Sequence, residues 1–436
     1  MQFSELKAKA TLAAMAAGAA LAGGGEAAAA GFAVNEISVE RLGRANAGAA
    51  ADKGAGALWF NPASIARSGR EISLGATNRD HRVDFTDNGS TITLPVPPAG
   101  LTVPIGGRSS ISDGAEDLVA LYAAGVMPIG DRFALGLSMT KPFVLKTELG
   151  ADAWSRYDTI RSQIDVTDVQ LTGAFQATDW LDIGVGVSAQ HNDAYLDQAW
   201  PNLAPGAPDA ISRLKADGWN WGWTVGAQAH FETISLGASY RSKVEQELDG
   251  TLALSGLVAP LDAFNFTAPA KATFTLPWSF TVGASWAVTP ALTLSGQVER
   301  AGWGEYDVIT VNFGQTAVIP QNFDDVTSVA IGAEYALNEM WSLRAGVRTD
   351  PTPTPDTLRE PGVWDADSRL WAVGATVNIS EGLRLHGALA WTDFDDAILT
   401  DNDVFYAGSP AQTTARSRGV VSGDGISAGL GLDFRF

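Results

Sequence analysis

Trp219, Asn220, Trp221, Gly222, Trp223, Thr224, Val225, Gly226, Ala227, Gln228, Ala229, His230 and Phe231 alternate without a slip, apolar at odd positions and small or polar at even ones. A period of two is the mark of a β-strand. A strand crossing a bilayer inside a barrel needs about nine to eleven residues, with apolar side chains toward lipid and polar or small ones toward the lumen. Aromatic residues near the strand ends match the interfacial girdles of such barrels. The stretch Thr273 to Val288 repeats the pattern, with Phe274, Leu276, Trp278, Phe280, Val282, Ala284 and Trp286 expected on one lipid-facing row. At the far end Ile426, Ala428, Leu430, Leu432, Phe434 and Phe436 alternate with Ser427, Gly429, Gly431, Asp433 and Arg435. A final strand closing on an aromatic residue is expected of a bacterial outer-membrane barrel and not of a soluble sandwich.

About fourteen such segments follow one another, the first centred near Leu74 and the last near Leu430. The count is even, as bacterial barrels require. Connections near Ile129 to Asp131, Thr178 to Trp180, Glu232 to Thr233, Val288 to Ala291, Leu337 to Met340 and Ser380 to Gly382 read as short, and the others as long. Short periplasmic turns alternating with long extracellular loops are the signature of a barrel. Closure also removes the exposed edges that so many apolar strands would otherwise leave. The fold class is therefore all-β: a transmembrane antiparallel β-barrel of about fourteen strands.

Composition narrows the function classes. The chain has 436 residues, no cysteine and a net charge of −20. A disulfide framework and a cysteine nucleophile are excluded. Nucleic acid is excluded as a partner, because binding phosphates needs clustered Lys and Arg. Residues 1–29 read as a signal peptide: Lys7 and Lys9, an apolar run from Ala10 to Leu21, then small residues from Ala27 to Ala30. No later run of eighteen apolar residues occurs, which excludes a helical membrane protein. Residues 30–68 are too rich in Gly and Ala, and too short of alternating apolar positions, to form a membrane strand, so they read as a compact segment or an ordinary turn ahead of a barrel over residues 69–436.

Gly31, Phe32, Asn35 and Glu36, then Leu42, Gly43, Arg44 and Ala45, and finally Asn61, Pro62 and Ala63 resemble the hatch of the FadL/TodX (OMPP1) family of outer-membrane transporters for hydrophobic compounds. Later pieces are also similar: Trp221 to Trp223, Tyr240 to Ser242, Leu276 to Trp278 and Asp350 to Pro355. The resemblance implies a fourteen-stranded barrel plugged by its hatch. It also implies uptake of long-chain fatty acids or, in other branches, aromatic hydrocarbons.

Several residues are candidates for that task. Phe32, Phe60, Asn61, Pro62 and Ala63 are expected beside a ligand pocket, because a barrel this wide needs a plug. In the third strand Met139 ends a regular alternation that Lys141, Pro142 and Phe143 interrupt; proline in a strand marks a bulge or an edge. The family places a lateral exit to the bilayer there. The stretch Asn192 to Asp217 reads as an exposed loop whose Tyr195, Leu196, Trp200, Leu203 and Leu214 either capture a greasy ligand or form a small core of the loop's own. Strand parity puts Lys243, Arg344 and Arg348 toward the lumen as partners for a fatty-acid carboxylate. Where fatty-acid-carrying members of the family hold basic residues, this sequence has Thr310 and the run Ala189 to Asp193, which leaves a neutral hydrocarbon open.

The expected function is passive transport of a hydrophobic small molecule across the outer membrane of a Gram-negative bacterium, with lateral exit into the bilayer. The protein is expected to be a monomer among outer-membrane lipid and lipopolysaccharide, with no cofactor and no metal. The acidic positions Asp393, Asp395, Asp396, Asp401 and Asp403 read as solvated loop, with calcium the lesser reading. Two further classes stay in view: a general porin, and a barrel lipid hydrolase using Ser427 in the motif Gly425-Ile426-Ser427-Ala428-Gly429. That motif needs a sharp strand-to-helix turn and lies here within a strand, and of the histidines His81 and His191 read as loop and His230 and His386 as lumenal, so no enzyme is expected.

Overall fold

The structure is a computed structural model that describes residues 31–115 and 117–436; the expected signal peptide lies outside the described residues. Fourteen long antiparallel strands form one closed barrel. They are β1 (Glu71–Asp87), β2 (Leu118–Ile129), β3 (Phe133–Glu148), β4 (Arg161–Gln176), β5 (Leu181–Trp200) and β6 (Ala210–His230). Next come β7 (Ile234–Arg241, continued as Val244–Ser255) and β8 (Phe266–Leu276, continued as Trp278–Ala287). The circuit ends with β9 (Leu292–Gly302), β10 (Val326–Ala336), β11 (Trp341–Asp350), β12 (Ser368–Ser380), β13 (Leu383–Phe405) and β14 (Thr413–Arg435). Strands β14 and β1 pair from Glu71↔Arg435 to Asp87↔Gly419, which closes the ring.

The six connections read as short are tight turns on one rim, and the long ones gather on the other. By the rule for such barrels the first rim is periplasmic. The outer wall carries the apolar row expected of a lipid-facing surface: Trp219, Trp221 and Trp223 are each more than half exposed, and Leu430 is 77 % exposed. Water would penalise that surface at roughly 25 cal/mol per Å², and lipid does not.

Four strands break their own alternation: β13, whose register with β14 slips between Phe394 and Ala397, and three others where the sequence reading needs correction. In β3 the register with β4 slips between Thr140 and Phe143. Odd-numbered side chains face lipid up to Met139, whereas Phe143 and Leu145 are buried inside. A slip of one residue exchanges the two faces of a strand. Strand β8 does the same across Pro277: Phe280 and Val282 face outward, but Phe274 and Leu276 are 5 % and 1 % exposed in the interior. Thr273 to Val288 is thus not one lipid-facing row. Strand β7 flips across Ser242 and Lys243, with Val244, Gln246 and Leu248 taking the inner face.

Asn192 to Asp217 is likewise not a loop. Strands β5 and β6 continue their ladder outward from Asn192↔Gly218 to Trp200↔Ala210, and only residues 201–209 connect them. His81 and His191, read as lying in or near loops, are within β1 and β5.

Residues 31–70 fill the lumen. They carry one short helix, α1 (Val39–Leu42), and three single 3₁₀ turns. Their alanines pack with no exposure at Ala45, Ala47, Ala49, Ala50, Ala55, Ala57 and Ala63. The wall accommodates them by omitting side chains. A Cβ at Gly226 would lie 2.1 Å from Asn61 Oδ1, one at Gly237 1.8 Å from the Ala50 carbonyl, and one at Gly346 2.3 Å from the Arg44 carbonyl. No real Cβ comes that close, so backbone approach is what these glycines permit. Gly237→Leu is expected to leave the barrel assembled while dislodging the hatch at a cost of about 1–3 kcal/mol. Single-channel recording in a planar bilayer checks this: the variant should show larger and more frequent openings than the parent.

Candidate functional site

The hatch is seated by polar bonds to the wall. Asn61, fully buried, caps the turn Pro62–Ile65 by accepting from the Ala63 N–H at 2.9 Å, and Pro62 supplies the first residue of that turn. Proline suits this position, where an N–H would have no helical partner. The Asn61 amide donates to the Ala50 carbonyl at 2.7 Å and faces the carbonyls of Ala227 and Ala238 on β6 and β7 at 3.1 and 3.3 Å. One side chain therefore ties two hatch turns to two strands.

Charge holds the opposite side. Arg344 Nη2 donates to Glu40 at 3.0 Å and its Nε to Glu334 at 2.6 Å. Arg41 and Arg44 share Asp52, and Arg384 joins Asp433, Glu71 and Glu40. Ser427 donates to Glu36 Oε1 at 2.8 Å, so its hydroxyl is engaged by the hatch and not by a histidine.

Between hatch and wall lies a cavity with about 840 Å³ of atom-free space, its mouth included. Its apolar lining comes from Val34, Ile37, Trp59 and Phe60 of the hatch, with Pro142 and Phe143 of β3, and Pro277 and Trp303. Its polar lining includes Arg241, Glu299, Arg348 and Ser279. The breaks in β3, β7 and β8 all meet this cavity, through Pro142, Arg241 and Pro277 respectively.

Arg241 stands apart from the other cations. Its guanidinium lies 3.4 Å from the centre of the Trp59 ring and donates to the Trp59 carbonyl and to Gln170 Oε1, both at 2.9 Å. Among the described residues it has no carboxylate within ion-pair distance, the acids nearest in influence being Asp168 and Glu299. Arg348 also lines the cavity, but its Nε donates to Asp350 Oδ1 at 2.6 Å and its Nη2 lies 3.7 Å from Glu299. Arg344 is spent on the hatch. Lys243 is on the outside, 2.9 Å from Glu305, because the flip in β7 turned it away from the lumen.

The other expected residues divide similarly. Phe60 lines the cavity, whereas Asn61, Pro62 and Ala63 are buried against β5 and β6. Phe32 anchors an aromatic cluster beneath, 4.8 Å from Trp303, 5.4 Å from Tyr306 and 6.1 Å from Phe143 between ring centres. At the β3 break Pro142 and Phe143 line the cavity, Lys141 Nζ reaches Asp165 at 2.5 Å, and Met139 faces lipid. The residues read as a capture surface pack elsewhere. Leu196 and Leu214 join the aromatic cluster, Trp200 and Leu203 join a separate extracellular core, and Tyr195 lies between Arg161 and Arg213.

What fills the β3 break is the hatch itself. Val34 N–H donates to the Pro142 carbonyl at 2.9 Å, Val144 N–H donates to the Phe32 carbonyl at 3.0 Å, and Ala33 pairs with Phe143 as an isolated antiparallel bridge. The gap in the wall is thus closed by three residues from inside.

A family model described as "Outer membrane protein transport protein (OMPP1/FadL/TodX)" matches residues 20–436. The chain belongs to this family. It is an outer-membrane protein of Gram-negative type, as the expected location required. A long-chain fatty acid transport protein of Escherichia coli is 26 % identical over 394 residues, covering 82 % of this chain and 85 % of that protein. Outer membrane protein P1 of Haemophilus influenzae is 25 % identical over 397 residues, covering 83 % and 85 %. Among solved structures, a Pseudomonas aeruginosa FadL homologue superposes with a TM-score of 0.81 at 22 % identity, over 93 % of this chain and 100 % of that one. The Ralstonia pickettii toluene transporter TbuX gives 0.65 at 19 % identity, over 92 % and 99 %. These structures share the barrel fold of this family member.

The bonds of Asn61 give a prediction for the hatch. Asn61→Ala removes the cap on the Ala63 N–H and one of the two donors to the buried Ala50 carbonyl, which keeps its bond from Gln228 Nε2 at 2.9 Å, at about 0.5–2 kcal/mol. The hatch should open locally while the barrel stays intact, and hydrogen exchange should show protection lost over residues 48–66 but kept in β5 and β6.

Proposed function

We propose that this family member passively carries hydrophobic molecules bearing a carboxylate from the cell exterior into the outer membrane, leaving through the gap in β3. The observation that carries the reading is Arg241: a cation with no ion-pair partner among the described residues, in a cavity lined on one side by Val34, Trp59, Phe60 and Phe143 that abuts a break in the wall. An apolar chain lying along Val34, Phe60 and Phe143 would place its acid group on the guanidinium, a charge-assisted contact that Lys243 and Arg344 are not free to make. The E. coli relative named for long-chain fatty acid transport points the same way.

Exit requires residues 32–34 to leave β3. Two backbone hydrogen bonds oppose that step, at about 0.5–1.5 kcal/mol each in net terms. Moving an alkyl chain from water to lipid supplies about 0.8 kcal/mol per CH₂. A chain of ten or more carbons therefore provides several times the opposing free energy by that scale, and no external energy source is needed. Transport without catalysis is also the reading that fits Ser427, whose hydroxyl is committed to Glu36. The protein acts as a monomer in lipid and lipopolysaccharide.

A neutral hydrocarbon is the second reading, and the cation decides between them. Arg241→Met should weaken binding of a long-chain fatty acid by about 10- to 100-fold, the worth of a charge-assisted bond of about 1.5–3 kcal/mol. Binding of a neutral aromatic hydrocarbon should be unchanged, as should fatty-acid binding in Lys243→Met. Equal loss for both ligands would reject the carboxylate role.

The exit is tested separately. The chain has no cysteine, so the pair Ala33→Cys and Phe143→Cys creates one unambiguous cross-link at positions whose antiparallel pairing brings their Cα atoms to about 4.5–5.5 Å, within disulfide range. Uptake should stop when the pair is oxidised and return on reduction. Full uptake in the oxidised state would rule out the β3 route.

A further inference from the structure

We infer that Asp158, Asp401 and Asp403 form a calcium site at the extracellular end of the barrel. Asp158 lies in the connection from β3 to β4, and Asp401 and Asp403 lie two residues apart on the outer end of β13. That spacing puts both on the same face of the strand. One carboxylate oxygen from each of the three lies within 4.8 Å of the other two. Oxygens bound to a single Ca²⁺ at about 2.4 Å cannot lie further apart than that.

Asp158 supplies the independent observation. Its side chain is 6 % exposed, and its Oδ2 has no hydrogen-bond partner. Oδ1 is satisfied by the Thr159 hydroxyl at 2.7 Å. A buried carboxylate oxygen without a donor costs free energy unless a proton or a cation meets it. The charges that act most strongly on Asp158 are all of its own sign: Asp401, Glu360 and Asp403. Burial first, and then Asp401, push the neighbouring Glu360 up to about 7. Four acids thus converge where a cation would relieve them all.

The surroundings are organised to hold such an ion. Gln198 donates to the Tyr157 carbonyl at 2.7 Å and to Asp403 Oδ1 at 3.3 Å, which ties the β3–β4 connection to β13. Tyr157 packs edge-on against Phe405, 5.9 Å between centres. Glu40, His386 and Asp433 also come together in the lumen, but Arg344 and Arg384 already neutralise that group. Calcium fits better than magnesium, since Ca²⁺ accepts six to eight oxygens in irregular arrangement whereas Mg²⁺ demands a near-ideal octahedron and keeps its waters. The ion would clip one extracellular connection to the outer end of β13 and so hold the roof above the ligand cavity.

The test uses the full chain in detergent, stripped with EGTA and titrated calorimetrically with CaCl₂ while thermal unfolding is followed. The expected result is one ion per chain, a Kd at or below about 1 mM as in other extracellular modules, and a higher unfolding temperature at saturation. Asp158→Asn and Asp401→Asn should each weaken binding at least about tenfold, the loss of one anionic ligand from a three-carboxylate set. Asn mimics a protonated Asp in shape, and the partly exposed Asp401 carries the comparison if the Asp158 variant does not fold. A control with Asp393→Asn and Asp395→Asn should bind as the parent does. The inference is overturned by absence of saturable binding up to about 10 mM, by binding that survives the Asp401 variant, or by equal binding of MgCl₂.

Discussion

Everything in this molecule follows from the absence of water in the bilayer. A strand there must pair on both sides, because each orphaned N–H or C=O costs several kcal/mol. The β14–β1 pairing, unbroken from Glu71↔Arg435 to Asp87↔Gly419, is how the chain meets that demand. Fourteen strands leave a lumen wider than their own side chains can fill. The hatch fills it, and its backbone approaches the wall so closely that Gly226, Gly237 and Gly346 are required where it touches. Closure, plug and wall composition are successive consequences of one solvent constraint.

The same constraint explains why irregularities matter. A break in the ladder exposes backbone polar groups, so it persists only if something else satisfies them. At β3 the satisfying partner is the hatch, through Val34 and Phe32. At β7 and β8 the breaks adjoin, with Ser242 Oγ accepting from Trp223 N–H at 3.0 Å. The breaks in β3, β7 and β8 border one cavity, whereas the slip in β13 at Phe394 lies apart from it, so three of the points where the wall departs from regularity are also where a ligand could be held. Regular strands make a container, and interrupted ones make a site.

The architecture was legible in the sequence because the bilayer imposes a strong period on it. Runs such as Trp219–Phe231 and Ile426–Phe434 state their outer face openly, and all six short turns lay where the alternation paused. What could not be read was the phase across each break. Alternation continues on both sides of Pro277, so Phe274 looked lipid-facing although it lies in the interior. The parity of β7 extended through Ser242 points Lys243 into the lumen, but the flip there puts Lys243 outside and leaves Arg241 within. Arg344 and Arg348 do face inward as parity requires, but Arg344 is met by Glu40 of the hatch, distant in sequence, and Arg348 by Asp350 two residues on in the same strand. The ladder of β5 and β6 beyond Asn192 was also missed, since its apolar residues serve two interior clusters and lose the simple period.

The Glu36–Ser427 bond joins residues 391 positions apart. One partner belongs to the plug, the other to the strand that seals the ring. A plug cannot enter a barrel already shut, and a final strand with an empty lumen beside it lacks the polar partners that Arg384, Asp433 and Ser427 find in the hatch and its neighbours. Sealing and filling therefore share contacts, and each stabilises the other. Contacts of such long sequence separation are slow to form. Without the β14–β1 pairing the same strands would form an open sheet with two unpaired edges.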